Sequence, residues 1–137
     1  MNPTTVTPIP LRSRVQPFIR PAVFWLLSLP VLVESVVGAW WDLDRVDYVV
    51  ETFQHLGYPL YFLTIMGVAK LLAVAVLLLP RLPRLKEWAY AGLLFVYGGA
   101  SVSHLAVGDE APAVISPLGF AALTVAAWAL RTARPAR

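Results

Sequence analysis

No cysteine occurs in the 137 residues, and only 14% of them are charged. The first absence removes disulfides, thiolate metal sites and thiol relays from the chemistry open to this chain, and it leaves the redox compartment unread. The second, set beside 58% hydrophobic residues and a mean hydropathy of +0.69, excludes a disordered chain and an ordinary water-exposed domain. Histidine is limited to His55 and His104, and two histidines without a third ligand do not define a metal site. No haem attachment motif, phosphate-cradling glycine loop or nucleophile elbow is present, so no catalytic residue is assigned.

What is present is apolar sequence in four blocks, roughly residues 22–41, 59–79, 88–107 and 111–130, each close to the ~20 residues that cross a hydrocarbon core as a helix. The expected fold is all-α: a polytopic membrane protein forming a four-transmembrane-helix bundle. Residues 1–19 read as a flexible tail and 20–137 as a single transmembrane domain. The charges sort around these blocks. Arg12, Arg14, Arg20, Arg81, Arg84, Lys86, Arg131, Arg134 and Arg137 all fall on one side, and Asp42, Asp44, Asp47, Glu51, Asp109 and Glu110 fall on the other against Arg45 alone. By the positive-inside rule both termini are cytoplasmic. This arrangement also accounts for the net charge of +3 without a nucleic-acid surface, leaving anionic lipid head groups of the bilayer as the expected partners of the basic side. A signal peptide is the competing reading of residues 12–41, but the apolar stretch is long and ends in Trp40 and Trp41, which suit an interfacial anchor.

Between the first two blocks, Leu43, Val46, Val50 and Phe53 recur at helical spacing, with Asp44 as a candidate cap, Asp47 in the first turn and Gly57 and Pro59 as stops. A short amphipathic helix on the outer surface is expected. Pro80 and Pro83 make the link between the second and third blocks short and stiff. Pro30 predicts a kink in the first span. Small residues in the fourth span (Gly119, Ala122, Ala126, Ala129) and the third (Gly92, Gly98, Gly99, Ala100) predict close helix approach on those faces.

Two charges lie inside the apolar blocks. Glu34 and Lys70 would each cost roughly 2.5–3.5 kcal/mol at the centre of a lipid-facing helix, so both are expected to face the bundle interior. With Lys70 around 16 Å and Glu34 about 10 Å below the outer ends of their spans, a Glu34–Lys70 ion pair is expected between the first two helices. Tyr97, Ser101 and His104 share one face of the third span at i, i+4 and i+7. Glu34, Lys70, Tyr97, Ser101 and His104 are therefore the candidate ligand-binding residues of a polar pocket near the outer leaflet, which would take a proton, a quinone head group or a small anion. The competing reading is a buried network that fixes helix register. Asp109 and Glu110 read as a solvated turn.

The run His55-Leu56-Gly57-Tyr58-Pro59, with Tyr61, Phe62, Leu63, Gly67, Lys70 and Leu71 after it, resembles the second span of the DoxX-like membrane protein family. Residues 83–92, then Gly99, Ala100, Ser103, His104, Gly108 and Asp109, are similar to that family's third span and its borders. The resemblance implies a four-helix bundle in the bacterial inner membrane. Its wider superfamily includes subunits of a thiosulfate:quinone oxidoreductase, a protein associated with redox enzymes, and receptor-assembly chaperones, so a redox-enzyme or other membrane-protein partner is implied. It carries over no catalytic residue.

These readings converge on a small accessory or small-molecule-binding membrane protein with a polar interior site. The alternatives are a membrane subunit of a quinone-linked oxidoreductase and a small transporter. The topology has a direct test. Reporters active only in the cytoplasm, fused to either terminus, should both give signal, and a C-terminal fusion active only outside the cytoplasm would remove the four-span arrangement.

Overall fold

A computed structural model describes residues 12–132, and the side chains of residues 19–131. Five helices follow one another: α1 (Arg12–Asp44), α2 (Asp47–His55), α3 (Tyr61–Leu78), α4 (Pro83–Ala106) and α5 (Ala111–Thr132). Four segments are long and apolar enough to cross a membrane: Ile19–Asp44, Tyr61–Leu78, Pro83–Val107 and Ala111–Arg131. Residues 1–11 of the expected tail, and the side chains of Arg12, Arg14, Arg134 and Arg137, lie outside the described residues. From Arg12 onward the chain is already helical, and α1 continues without interruption past Pro30.

The packing forms a closed ring in which α1 meets α3, α3 meets α4, α4 meets α5 and α5 returns to α1. Each helix turns one narrow stripe inward. On α1 that stripe is Ser28, Val31, Ser35, Ala39 and Asp42; on α3 it is Leu63, Gly67, Lys70 and Val74; on α4 it is Ala89, Leu93, Tyr97 and Ser101. The spacing of three and four residues is that of one helical face. Val31, Leu93, Tyr97 and Ala121 meet at the centre, with Ala73, Leu77 and Phe120 against them. Outward, the same helices present Leu26, Leu72, Phe95, Val102 and Ile115, side chains suited to lipid tails.

The glycines expected to bring helices together do not do so. Gly92, Gly98, Gly99 and Gly119 have no neighbouring atom within 4 Å of where a Cβ would stand, and Ala122 and Ala129 are exposed. Burial of Tyr97 decides the rotation of α4: Gly98 and Gly99 stand about 100° and 200° further round the helix, so they leave the interior when Tyr97 enters it. On α5 the inward residues are Ala121, Thr124 and Ala127 instead. α4 and α5 do pack closely, through other residues, and a glycine is used for close approach between α1 and α3, where a Cβ on Gly67 would come within 2.7 Å of Leu43 Cγ and 3.0 Å of the Ala39 carbonyl oxygen.

Helix α2 is the expected short surface helix, with a different start. α1 runs through Asp44, Arg45 takes a left-handed φ of 54°, and Val46 rather than Asp44 is the N-cap, without a side-chain bond. Val49 is its buried residue. Gly57 and Gly108, with φ of 80° and 79°, end α2 and α4 in the same way. The next amides turn back, Tyr58 N–H to Phe53 O at 2.8 Å and Asp109 N–H to His104 O at 3.0 Å, the 6→1 bond of a Schellman ending that needs a residue free to adopt positive φ.

The two ends of the bundle differ in chemistry. At one, Arg20 donates to the Leu130 carbonyl at 3.2 Å, Lys86 donates to the Leu77 carbonyl at 2.7 Å, and Arg131 pairs with Glu87. Cations are favoured at helix C-termini, where the last carbonyls lack helical partners. The acidic connections gather at the other end.

Candidate functional site

Lys70 is 8% exposed, yet its ammonium does not pair with Glu34 as expected. Nζ lies 3.0 Å from Oδ2 of Asp42, a contact made by distance and charge, since that oxygen has no well-aligned hydrogen bond. The reason is the direction of the lysine stem. α1 carries Glu34 deeper and Asp42 nearer the acidic end, and a buried lysine extends its charge toward the membrane surface. Asp42 itself is 3% exposed, enclosed because α1 runs on to Asp44 and position 42 falls on its inner stripe.

Glu34 turns to α4 instead. The Tyr97 hydroxyl donates to Glu34 Oε2. With that proton committed, the Ser35 hydroxyl donates to the Tyr97 oxygen at 2.7 Å. The ends of Glu34 and Lys70 nonetheless converge over Gly38, where a Cβ would stand 2.8 Å from Lys70 Nζ and 2.9 Å from Glu34 Oε1 and would push both side-chain ends aside. The result is a cluster of two carboxylates, one ammonium, a phenol and a hydroxyl inside an apolar bundle.

The other two expected site residues have different partners. The Ser101 hydroxyl is buried and bends back to its own helix, donating to the Tyr97 carbonyl at 3.3 Å. His104 belongs to a separate cluster at the acidic end. There Asp109 accepts from His104 Nδ1 on Oδ2 and from His55 Nε2 on Oδ1, each at 2.6 Å. Beside this pair, Tyr58 and Ser103 share a 2.7 Å hydroxyl bond, and Tyr58 stacks on Phe62 with ring centroids 5.3 Å apart. Asp109 lies in the expected exposed turn and, beyond that expectation, ties the end of α2 to the end of α4. Sequence spacing hid this because His55 and Asp109 are distant in the chain and meet only through two glycine-ended helices. Among the described residues no group of three or more His, Asp or Glu is arranged to hold a metal ion.

Four apolar helices of spanning length, closed around buried charges, define a multi-pass membrane protein of the helical-bundle class. The model of the DoxX-like family matches residues 26–127, and the chain belongs to that family. No curated protein and no solved structure matches it.

The latch at the acidic end makes a prediction about pH. Hydrogen bonds from His104 and then His55 hold the Asp109 carboxyl below the usual carboxylate range. A group depressed in this way contributes stability that is present above its unfolded pKa and lost as pH falls through the folded one. Asp109→Asn should therefore speed backbone hydrogen exchange in α2 near neutral pH while α3 and α5 stay protected, and the difference from the parent protein should shrink under acid. Equal exchange in α2 for both proteins at neutral pH would show that the clasp does not hold the helix.

Proposed function

We propose that the protein is a small accessory or ligand-binding membrane protein whose polar interior cluster, around Glu34, Tyr97 and Lys70, receives the polar head of a small molecule. The supporting observation is the convergence of the ends of Glu34 and Lys70 over Gly38. A bundle serving only as a scaffold gains little from buried ionisable groups such as Asp42, Lys70 and Tyr97, because apolar residues of similar volume often stabilise as well or better. The ammonium offers donors to a carbonyl or carboxylate, and Glu34, its Oε2 held by the Tyr97 hydroxyl, offers Oε1 as an acceptor. A quinone head group or a small acid meets these requirements, with its apolar body among the helices.

A second reading follows from the hydrogen-bonded run of Ser35, Tyr97 and Glu34. Its exchangeable protons suit a membrane subunit of a quinone-linked oxidoreductase, in which a partner supplies electrons and this chain supplies protons to the reduced quinone. Family membership agrees with either reading, and the partner is a redox enzyme or another membrane protein.

Binding of a short-chain ubiquinone analogue to purified protein in nanodiscs, read by native mass spectrometry, tests the site. Tyr97→Phe and Lys70→Met should each weaken retention by roughly tenfold or more, the usual cost of losing a hydrogen bond to a buried polar partner. Gly38→Ala should do so without removing any polar atom, while Arg84→Ala leaves binding unchanged. Loss confined to Arg84→Ala would place the ligand at the basic end and end this proposal.

A further inference from the structure

The basic end holds a cavity of about 1300 Å³ that the polar cluster does not share. Three stretches far apart in the chain bring cations to its wall: Arg20 from α1, Arg81 and Lys86 from the α3–α4 hairpin, and Arg131 from α5. Glu87 neutralises Arg131, leaving an excess of positive charge. Arg20 and Lys86 each use one donor on a helix-end carbonyl, and a guanidinium or ammonium has others to give. Deeper in the wall, Ser28 is 6% exposed and its hydroxyl lies against the Tyr90 phenol. A hydroxyl has one donor and two acceptor sites, so it can serve a second partner beside the phenol.

The remaining wall is apolar and opens sideways to the hydrocarbon. Trp25 and Leu78, 48% and 58% exposed, form its outer rim. Cations at the membrane surface, a hydroxyl beneath them and an apolar flank toward the lipid tails together describe an amphiphile with an anionic head. The volume exceeds the ~300–1,000 Å³ of a drug-sized pocket and is ample for a head group with part of an acyl chain. Charge sorting across the membrane explains why basic residues lie at this end. It does not explain why three separate segments enclose one cavity with a buried serine hydroxyl in its wall.

We infer that this cavity is a binding site for one anionic phospholipid of the leaflet at the basic end, its phosphate held by Arg20, Arg81 and Lys86 and reached by Ser28, its acyl chain lying against Trp25 and Leu78. The site is separate from the polar cluster, and its occupant is a structural or regulatory lipid.

The test uses the full chain in nanodiscs of equal parts phosphatidylcholine and phosphatidylglycerol, with lipids retained after gentle release counted by native mass spectrometry. The parent protein should keep one phosphatidylglycerol in preference to phosphatidylcholine. Arg81→Gln and Lys86→Met should each lower that preference about fivefold, from the attraction of one cation near a charged surface. Ser28→Ala should lower it further without changing any charge. Arg84→Gln, in the same hairpin but outside the cavity wall, is the comparison that measures general attraction to the membrane and should have the smaller effect. Helical content by circular dichroism confirms that each variant is folded. An equal loss with Arg84→Gln, no preference in the parent protein, or displacement of the lipid by free glycerol phosphate would each overturn the assignment. None of these outcomes bears on quinone binding at Tyr97, so the two sites stand or fall separately.

Discussion

The bundle is organised by one constraint: an ammonium and a carboxylate, Lys70 and Asp42, must meet inside a structure whose surroundings cannot solvate them. Each charge alone would cost several kcal/mol in hydrocarbon. Once α1 turns Asp42 inward, Ser28, Val31, Ser35 and Ala39 follow on the same face. Once α3 turns Lys70 inward, Gly67 is brought against Ala39 and Leu43, where a side chain would not fit. α4 is set by the same logic, with Tyr97 entering to satisfy Glu34 and Ser35. Hydrophobic attraction between helices is weak in lipid, so polar contacts and close packing take over the task of fixing rotation.

That ordering explains which features could be read from the chain. Segment lengths and charge sorting state the four spans and the common end of the basic regions, because both follow from bilayer thickness and the cost of moving charge. The burial of Lys70 is also legible, since an intramembrane charge has few places to go, but the bond between Glu34 and Tyr97 is not, because Lys70 is the partner that spacing suggests for Glu34. The partner of Lys70 is less visible. Asp42 reads as a loop residue because apolar sequence stops at Trp41, although its spacing from Ser28, Val31, Ser35 and Ala39 is that of one helical face. Helical phase that continues past the apolar boundary is what brings it inward.

The glycine-rich stripes misled for a related reason. Small residues permit close approach but do not compel it, whereas a buried phenol does compel a rotation, and on α4 the two requirements point to different faces. The His55–Asp109–His104 clasp shows another limit. Each of its residues lies near a span end, where polar side chains are common, and their meeting depends on the left-handed glycines that end α2 and α4. Such a contact is a product of tertiary geometry, with no local periodicity to announce it. The molecule thus has three chemically distinct zones: a hydrogen-bonded clasp at the acidic end, a charged cluster within the bundle, and a cationic cavity at the basic end.

The claim on which this account rests is that Lys70 is coupled to Asp42 more strongly than to Glu34. Two double-mutant cycles measured by reversible unfolding in lipid discs decide it, one with Asp42→Asn and Lys70→Met, the other with Glu34→Gln and Lys70→Met. The account predicts that the Asp42 cycle has the larger interaction energy, by about 1 kcal/mol or more, with the double variant more stable than the sum of the single losses. Additive losses in the Asp42 cycle, or a larger coupling in the Glu34 cycle, would contradict it.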